Sequence, residues 1–414
     1  MIVASPSPMD ELTRPVTSPS AGKRLRLPRQ VIALGLVSLF NDAAGDMINP
    51  LLPALVASVG GGPEALGVIE GIADAVARLL QLASGYLADR IGRLKAITMA
   101  GYSIAAVARP FLALATMPWQ ILLARFGDRL GKGVRGAPRD RLIADAAPTE
   151  VRGRAFGYHR AMDNAGALIG PVIVYAMFGL GLGTRAVFAW TAAPGLLSLF
   201  ILGRGVREIE PPTSNTAVEI GIPETPGFRR FLTAIFVFTL GSSSDSFLLW
   251  RAREAGVPTV SAPLLWLVLA FVKVASSTPG GNLSDHWGRR NTIISGWLLY
   301  AAVYLGFAFT SAQWHIWLLF AVYGLFSGLT EGAERALVID LVPDEWRGRA
   351  LGAYQAASGI ALLPASIAFG VIYKHFGAGP AFILGSVLAL SAILIFLPQR
   401  AGRDATARTP ITGR

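Results

Sequence analysis

Gly85-Tyr-Leu-Ala-Asp89-Arg90-Ile-Gly92-Arg93 returns further along the chain as Gly281-Asn-Leu-Ser-Asp285-His286-Trp-Gly288-Arg289, at an offset of 196 residues. A second stretch, Asp145-Ala-Ala-Pro148-Thr-Glu150-Val-Arg152-Gly153-Arg154-Ala, returns as Asp340-Leu-Val-Pro343-Asp-Glu345-Trp-Arg347-Gly348-Arg349-Ala, at an offset of 195. Two unrelated motifs at nearly one spacing make the chain an internal duplication. Around them lie apolar runs near 31–58, 66–88, 96–115, 118–138, 157–180 and 186–204, then near 229–250, 262–284, 291–310, 314–334, 351–373 and 379–398. That is six runs per copy, and an even number sets the copies parallel in a membrane.

Composition points the same way. The 414 residues are 53% hydrophobic and only 15% charged, with a mean hydropathy of +0.51. A soluble domain carries about 25% charged residues, and a membrane helix needs roughly 20 apolar ones. A soluble enzyme, a disordered chain and a disulfide-stapled secreted domain are excluded. The cysteine count of 0 removes thiolate metal sites and cysteine nucleophiles, and four His leave little for a metal centre. No metal and no cofactor is expected. No G-x-x-x-x-G-K-[ST] loop supports an ATP-driven pump, and no G-x-S-x-G supports an enzyme.

The net charge of +11 is a matter of topology. With the N-terminus inside, segments on the cytoplasmic side hold 25 of the 37 Lys and Arg, and the opposite side only Arg185, Arg251, Arg253 and Lys374. That asymmetry is the positive-inside rule. It places both termini in the cytoplasm of a multi-pass inner-membrane protein and removes nucleic acid as a partner. Residues 1–28 and 399–414 read as disordered cytoplasmic tails, 29–204 and 229–398 as two six-helix bundles, and the proline-rich 205–228 as the link between them. The expected partners are the lipid bilayer, a small-molecule substrate and protons, met by a monomer.

The residues at the two repeats carry a resemblance. Gly85-x-Leu-x-Asp89-Arg90-x-Gly92-Arg93 resembles motif A of the major facilitator superfamily, and the copy at Gly281–Arg289 its second occurrence. Arg125 resembles the motif B arginine, with Arg129 where that motif has Gly. Gly166-x-x-x-Gly170-Pro171 resembles the antiporter signature, motif C, without its trailing glycine pair. The resemblance covers about residues 30–398 and implies an all-α membrane protein of 12 transmembrane helices, two pseudo-symmetric bundles around a central cavity. It also implies secondary active transport of a small organic, anionic or amphiphilic solute, by proton-coupled efflux like that of bacterial drug and metabolite antiporters; uptake by symport and passive facilitation are the alternatives. Within motif A, small Gly85 and Gly92 suit a short turn, while Asp89, Arg90, Arg93 and Asp285 are gating candidates. The resemblance takes Asp89 to the N-terminus of helix 11, where the helix dipole favours a carboxylate.

Charges within the spans point to chemistry, because each costs at least about 2.5–3.5 kcal/mol on insertion scales. Asp42 and Asp46 in helix 1, and Glu70, Asp74 and Arg78 in helix 2, recur at intervals of four and share faces. Arg125, Arg129, Lys132, Arg135 and Arg139 form a basic stripe on helix 4, with Arg129 roughly 15 Å below the interface marked by Trp119. Two readings of the stripe stay open: an ion-pair lattice holding helices 1, 2, 4 and 5, or positive charge presented to a substrate. Arg125, Arg129, Lys132, Asp42, Asp46 and Asp245 are the substrate-binding candidates. Proton coupling needs carboxylates whose charged form burial disfavours, and Asp42, Asp46, Glu70, Asp74 and Glu331 qualify. The repeat offsets also map Glu331 onto Arg135 and Glu334 onto Arg139. Residues 135, 139, 331 and 334 are therefore expected to form two salt bridges across the bundle interface, a latch that closes the inner gate when the protein opens outward.

Overall fold

The computed structural model describes residues 27–208 and 225–397. The expected tails and most of the 205–228 link lie outside the described residues. Twelve helical segments follow one another: α1 (Arg29–Ser58), α2 (Pro63–Ile91), α3 (Leu94–Leu114), α4 (Pro118–Ala146), α5 (Thr149–Gly179), α6 (Thr184–Gly205), α7 (Pro226–Glu254), α8 (Thr259–Trp287), α9 (Arg289–Phe309), α10 (Gln313–Asp340), α11 (Asp344–Phe376) and α12 (Ala378–Phe396). Ten are long and apolar enough to cross a membrane. The other two, α2 and α4, have the length, at 29 residues each, and carry the charges that lower their hydropathy. No strand occurs among the described residues.

Proline opens several helices at a position where its missing N–H has no intrahelical partner to lose, at Pro63, Pro118 and Pro226. In the first half α1 packs on α5 and α6, and α4 on α2 and α3; in the second α10 packs on α8 and α9, and α12 on α7 and α9. The halves meet mainly where α2 lies on α11 and α5 on α8. Gly166 and Gly170 let α5 lie directly on α1. A Cβ on either would stand 2.5 or 2.6 Å from a carbonyl oxygen, of Leu39 or of Ala43. Small residues at a helix contact are how membrane helices approach closely.

The duplication is visible in the backbone. Gly92 and Gly288, one repeat apart, both turn left-handed (φ 68° and 93°) between α2 and α3 and between α8 and α9. Gly85 and Gly281 fall within α2 and α8 instead, so only the second glycine of each motif makes the turn. Pro148 and Pro343 likewise precede matching 3-10 turns at the starts of α5 and α11. The side chains of Asp89 and Arg90 lie outside the described residues, and with them the expected approach of Asp89 to helix 11. Arg93 precedes the first residue of α3. Asp285 pairs with Arg289, whose Nε also reaches Asp340 at 3.2 Å.

Two helices expected to be continuous are broken. The first part of α1 ends at Asp46, a turn and a 3-10 segment over Asn49–Leu51 follow, and helix resumes at Leu52. In α7 the helix ends at Gly241, Ser242–Asp245 are non-helical, and helix resumes at Ser246. The 196-residue offset maps Asp46–Asn49 onto Ser242–Asp245, so the two elbows are symmetry mates.

The halves are held together differently. The second has an aromatic core in which Phe238 stacks on Trp297 at 4.7 Å and Tyr300 on Tyr304 at 4.1 Å. The first buries Glu70, Arg109, Arg125, Asp128 and Arg135.

Candidate functional site

Between the halves lies a cavity of about 400 Å³, within the usual range for a small-molecule site. The α1 elbow contributes Asp42, Asp46 and Asn49, and the α7 elbow Ser242 to Ser246. Glu70 and Asp74 come from α2, Arg129, Lys132 and Arg135 from α4, Trp266 from α8 and Tyr323 from α10. A larger groove of about 680 Å³ runs along α3 and α4 past Val107, Phe111, Trp119 and Leu123. Those side chains are exposed on the outer face, where lipid is the natural neighbour. Convergent polar groups belong to the smaller cavity.

Four charged groups beside the cavity form a buried lattice. Arg125 donates to Glu70 through Nε at 3.0 Å and lies 2.8 Å from the same oxygen through Nη2. Its Nη1 stands 3.6 Å from Asp128, whose other oxygen takes Nε of Arg109 at 2.7 Å. Arg109 also donates to the Asn41 carbonyl at 2.8 Å, tying α3 to α1. Beside this lattice Arg129 pairs with Asp74 at 3.2 Å. The second oxygen of Glu70 leaves the first half altogether and accepts from Ser244 and Ser246, each at 3.1 Å.

Three carboxylates at the cavity have neutral donors instead. Asp42 accepts from Asn41 at 2.9 Å. Asp46 accepts from Asn49 and, across the interface, from the Trp266 indole, both at 2.9 Å. Asp245 accepts from Tyr323 at 2.7 Å. Ser243, beside it, shares a 2.9 Å hydrogen bond with Tyr304, so the aromatic core of the second half fixes the α7 elbow.

Of the substrate-binding candidates, Asp42, Asp46, Arg129, Lys132 and Asp245 border the cavity. Arg125 does not: it is 1% exposed and its guanidinium is taken up by Glu70 and Asp128. Of the proton-coupling candidates, Asp42 and Asp46 lack a cationic partner among the described residues, whereas Glu70, Asp74 and Glu331 are ion-paired.

The expected latch is not formed in this structure. Arg135 lies over the Tyr102 ring at 4.6 Å, and Arg139 pairs with its neighbour Asp140 at 2.8 Å. Glu334 is buried within the second half, where Trp297 and Tyr354 donate to it at 3.0 and 2.8 Å. Glu331 does cross the interface, but to Arg160 of α5 at 3.1 Å, and within its own half it meets Lys273 of α8 at 3.0 Å and Arg335 of α10 at 3.2 Å. Nearer donors decided the partners.

Sequence reading passed over Arg109, Trp266, Tyr304 and the Ser244 and Ser246 hydroxyls. Arg109 had a legible sign, a lone cation within an apolar run. The serines had another, since Gly241-Ser-Ser-Ser is poor helix material.

The profile of the Major Facilitator Superfamily matches residues 34–272 and 231–411. An uncharacterized MFS-type transporter of Methanocaldococcus jannaschii is 31% identical over 383 residues, covering 90% of this chain and 95% of its own length. The multidrug resistance protein MdtG of Enterobacter lignolyticus is 29% identical over 187 residues, 44% of each chain. Among solved structures, a bacterial homologue of the human lysosomal transporter Spinster, crystallised inward-facing and unoccupied, superposes with a TM-score of 0.68 at 18% identity, over 91% of this chain and 95% of that one. That likeness is one of fold.

Proposed function

The chain belongs to the major facilitator superfamily, and from that premise we propose that it is a proton-coupled exporter of a small polar organic solute. The observation that carries this reading is the cavity itself. It lies at the junction of the halves, is lined from both, and sits where two symmetry-related helices are interrupted. Interrupted helices in corresponding positions mark solute sites, because their freed backbone and elbow side chains supply polar groups at mid-membrane.

The distribution of Lys and Arg supports termini on the cytoplasmic side of the inner membrane. Alternating access works by rocking one half against the other. One chain lines the whole cavity, which supports a single chain as the transporting unit. Asp46 and Asp245 are the proton carriers: each is held by neutral donors and lacks a counter-cation among the described residues. A cationic group on the solute competes with the proton for these carboxylates, and competition for one site is the thermodynamic basis of exchange. The partial likeness to a multidrug resistance protein supports the outward direction.

Untargeted metabolite profiling tests this reading. Cells making the wild-type chain are compared with cells making Asp46→Asn or Asp245→Asn, with and without a protonophore. At least one small polar solute should be depleted inside wild-type cells alone, and the protonophore should abolish the depletion. Accumulation instead of depletion would make the protein an importer. Identical profiles would reject the role of both carboxylates.

A further inference from the structure

Two cavities outside the central one follow each other along the seam where α5 of the first half meets α8 of the second. The one farther from the start of α1 is apolar, about 430 Å³, with Leu168, Ile169 and Val172 of α5 facing Leu267, Val268 and Phe271 of α8. Ile169, Val172 and Phe271 are exposed there. The nearer one, about 210 Å³, is polar. Arg160 and Asn164 come to it from α5, Lys273 and Ser277 from α8, and Glu331 and Arg335 from α10. Residues 160, 164, 168 and 172 follow at steps of four, so one face of α5 runs through both cavities. From Arg160 to Val172 that face is roughly 18 Å long, close to one leaflet of a hydrocarbon core about 30 Å thick.

The charged side chains lining the polar cavity are Arg160, Lys273 and Arg335 against Glu331 alone. That one carboxylate serves all three cations, at 3.1, 3.0 and 3.2 Å. Neighbouring carboxylates are engaged elsewhere: Glu334 accepts from Trp297 and Tyr354, and Asp163 lies 3.5 Å from His159. Positive charge is therefore in excess at the seam. The three cations are 56%, 45% and 47% exposed, yet they are not at the helix ends. The α-helical parts of α5 and α10 have 28 residues each, roughly 42 Å, and so overhang the hydrocarbon core by about 6 Å at either end. Arg160 and Glu331 lie roughly 12 to 14 Å from the nearer ends, inside the core edge. Charge at that depth needs a polar partner, and long basic side chains meet one by reaching back toward the headgroups.

We propose that this seam holds an anionic phospholipid, its phosphate among Arg160, Lys273 and Arg335 and an acyl chain in the apolar groove between α5 and α8. Guanidinium groups hold phosphate oxygens through paired N–H donors, and Asn164 and Ser277 line the same cavity as neutral partners. A free phosphate would meet the cations and leave the groove empty. A zwitterionic phospholipid would fill the groove and bring one more cation to a cavity already positive. The bound phosphate touches Arg160 of the first half and Lys273 and Arg335 of the second, so it bridges the halves as Glu331 does and competes with Glu331 for the same cations. The site is separate from the central cavity and does not depend on the exporter reading.

Native mass spectrometry of the purified full-length protein, released from detergent micelles after titration with lipid, tests the assignment. The probes are dioleoyl phosphatidylglycerol and dioleoyl phosphatidylcholine, which share their acyl chains and differ in net charge. Wild type should retain one phosphatidylglycerol saturably, at a concentration roughly tenfold or more below that needed for phosphatidylcholine. Arg160→Gln with Lys273→Gln should weaken phosphatidylglycerol retention by roughly tenfold or more and leave phosphatidylcholine as it was. Glu331→Gln should tighten phosphatidylglycerol retention, because it frees all three cations. That sign keeps the test decisive should the double variant fail to fold, since damage to the fold does not raise affinity for one headgroup. Glycerol 3-phosphate, the same phosphate without chains, should not displace the lipid at equal concentration. Equal retention of the two lipids, phosphatidylglycerol retention unchanged in the double variant or no tighter in Glu331→Gln, or displacement by glycerol 3-phosphate would each overturn the proposal.

Discussion

Glu70→Gln separates a lattice carboxylate from a proton carrier. The substitution preserves shape and removes one charge. Arg125, 1% exposed, would be left with Asp128 alone at 3.6 Å, and Asp128 already serves Arg109 at 2.7 Å. Two buried guanidiniums would then share one carboxylate. Breaking a buried pair from one side costs about 3–5 kcal/mol, much of it from the orphaned partner. The Ser244 and Ser246 hydroxyls would still find an amide oxygen, so the loss should arise at Arg125. Adding Arg125→Met removes that orphan and leaves Asp128 with Arg109. The double variant should therefore recover part of the loss, by a coupling of about 0.5–3 kcal/mol. Thermal unfolding in detergent micelles, followed by tryptophan fluorescence, ranks wild type, both singles and the double. If Glu70→Gln melts like wild type, Glu70 carries no charge in the folded protein, as a proton carrier would. If the double melts below Glu70→Gln, the pair is not the unit described.

Two further outcomes concern opposite ends of the interface. The Arg160–Glu331 bridge is partly exposed, at 56% and 35%, so it is worth at most about 1 kcal/mol, or roughly fivefold in a two-state ratio; Glu331→Gln should lengthen spin-label distances between α5 and α10 by that shift in population, and an unchanged distribution would remove Glu331 from the gate. At the other end a Cβ on Gly67 would stand 2.3 Å from the Ser366 carbonyl oxygen, so Gly67→Val should wedge α2 from α11 beside the 2.7 Å bridge between Glu64 and Lys374; label distances there that stay as in wild type would refute the close approach, and a chain with no cysteine makes such labelling simple.

The repeat, the number of spans and the basic stripe were legible because each is a property of the sequence alone. The elbows were not. Asp46, Asn49 and Pro50 sit inside an apolar run near 31–58, and averaging over such a run hides a short interruption. The partners that Arg135 and Arg139 have in this structure were hidden for a different reason. Pseudo-symmetry places residues at equal levels, but a pair forms with the nearest suitable group. Glu331 found Lys273 and Arg160, and Glu334 found the Trp297 and Tyr354 donors, none of which a charge-only pattern counts. Arg125 was equally ambiguous from its depth, since lattice and substrate roles need the same buried cation; only the position of Glu70 decides between them.

Which bonds must break for the halves to rock follows from where the charges are paired. The lattice of Glu70, Arg125, Asp128 and Arg109 joins α2, α3 and α4, and through Asn41 it reaches α1. These are all helices of the first half, which can move as one body without separating any pair of that lattice; the ion pairs that do span the halves, Arg160–Glu331 and Glu64–Lys374, are partly exposed. The polar links across the cavity are of another kind: Ser244 and Ser246 to Glu70, and Trp266 to Asp46. A hydrogen bond to a charged group contributes about 1.5–3 kcal/mol net, and each of these has a neutral donor that water or solute can replace. Three such links are comparable to the roughly 5.5 kcal/mol of differential binding that turns a 1:99 equilibrium into 99:1. A proton or an ammonium group arriving at Asp46 acts on the Trp266 link directly, because the carboxylate that receives it is the acceptor of one of the bonds that join the two halves.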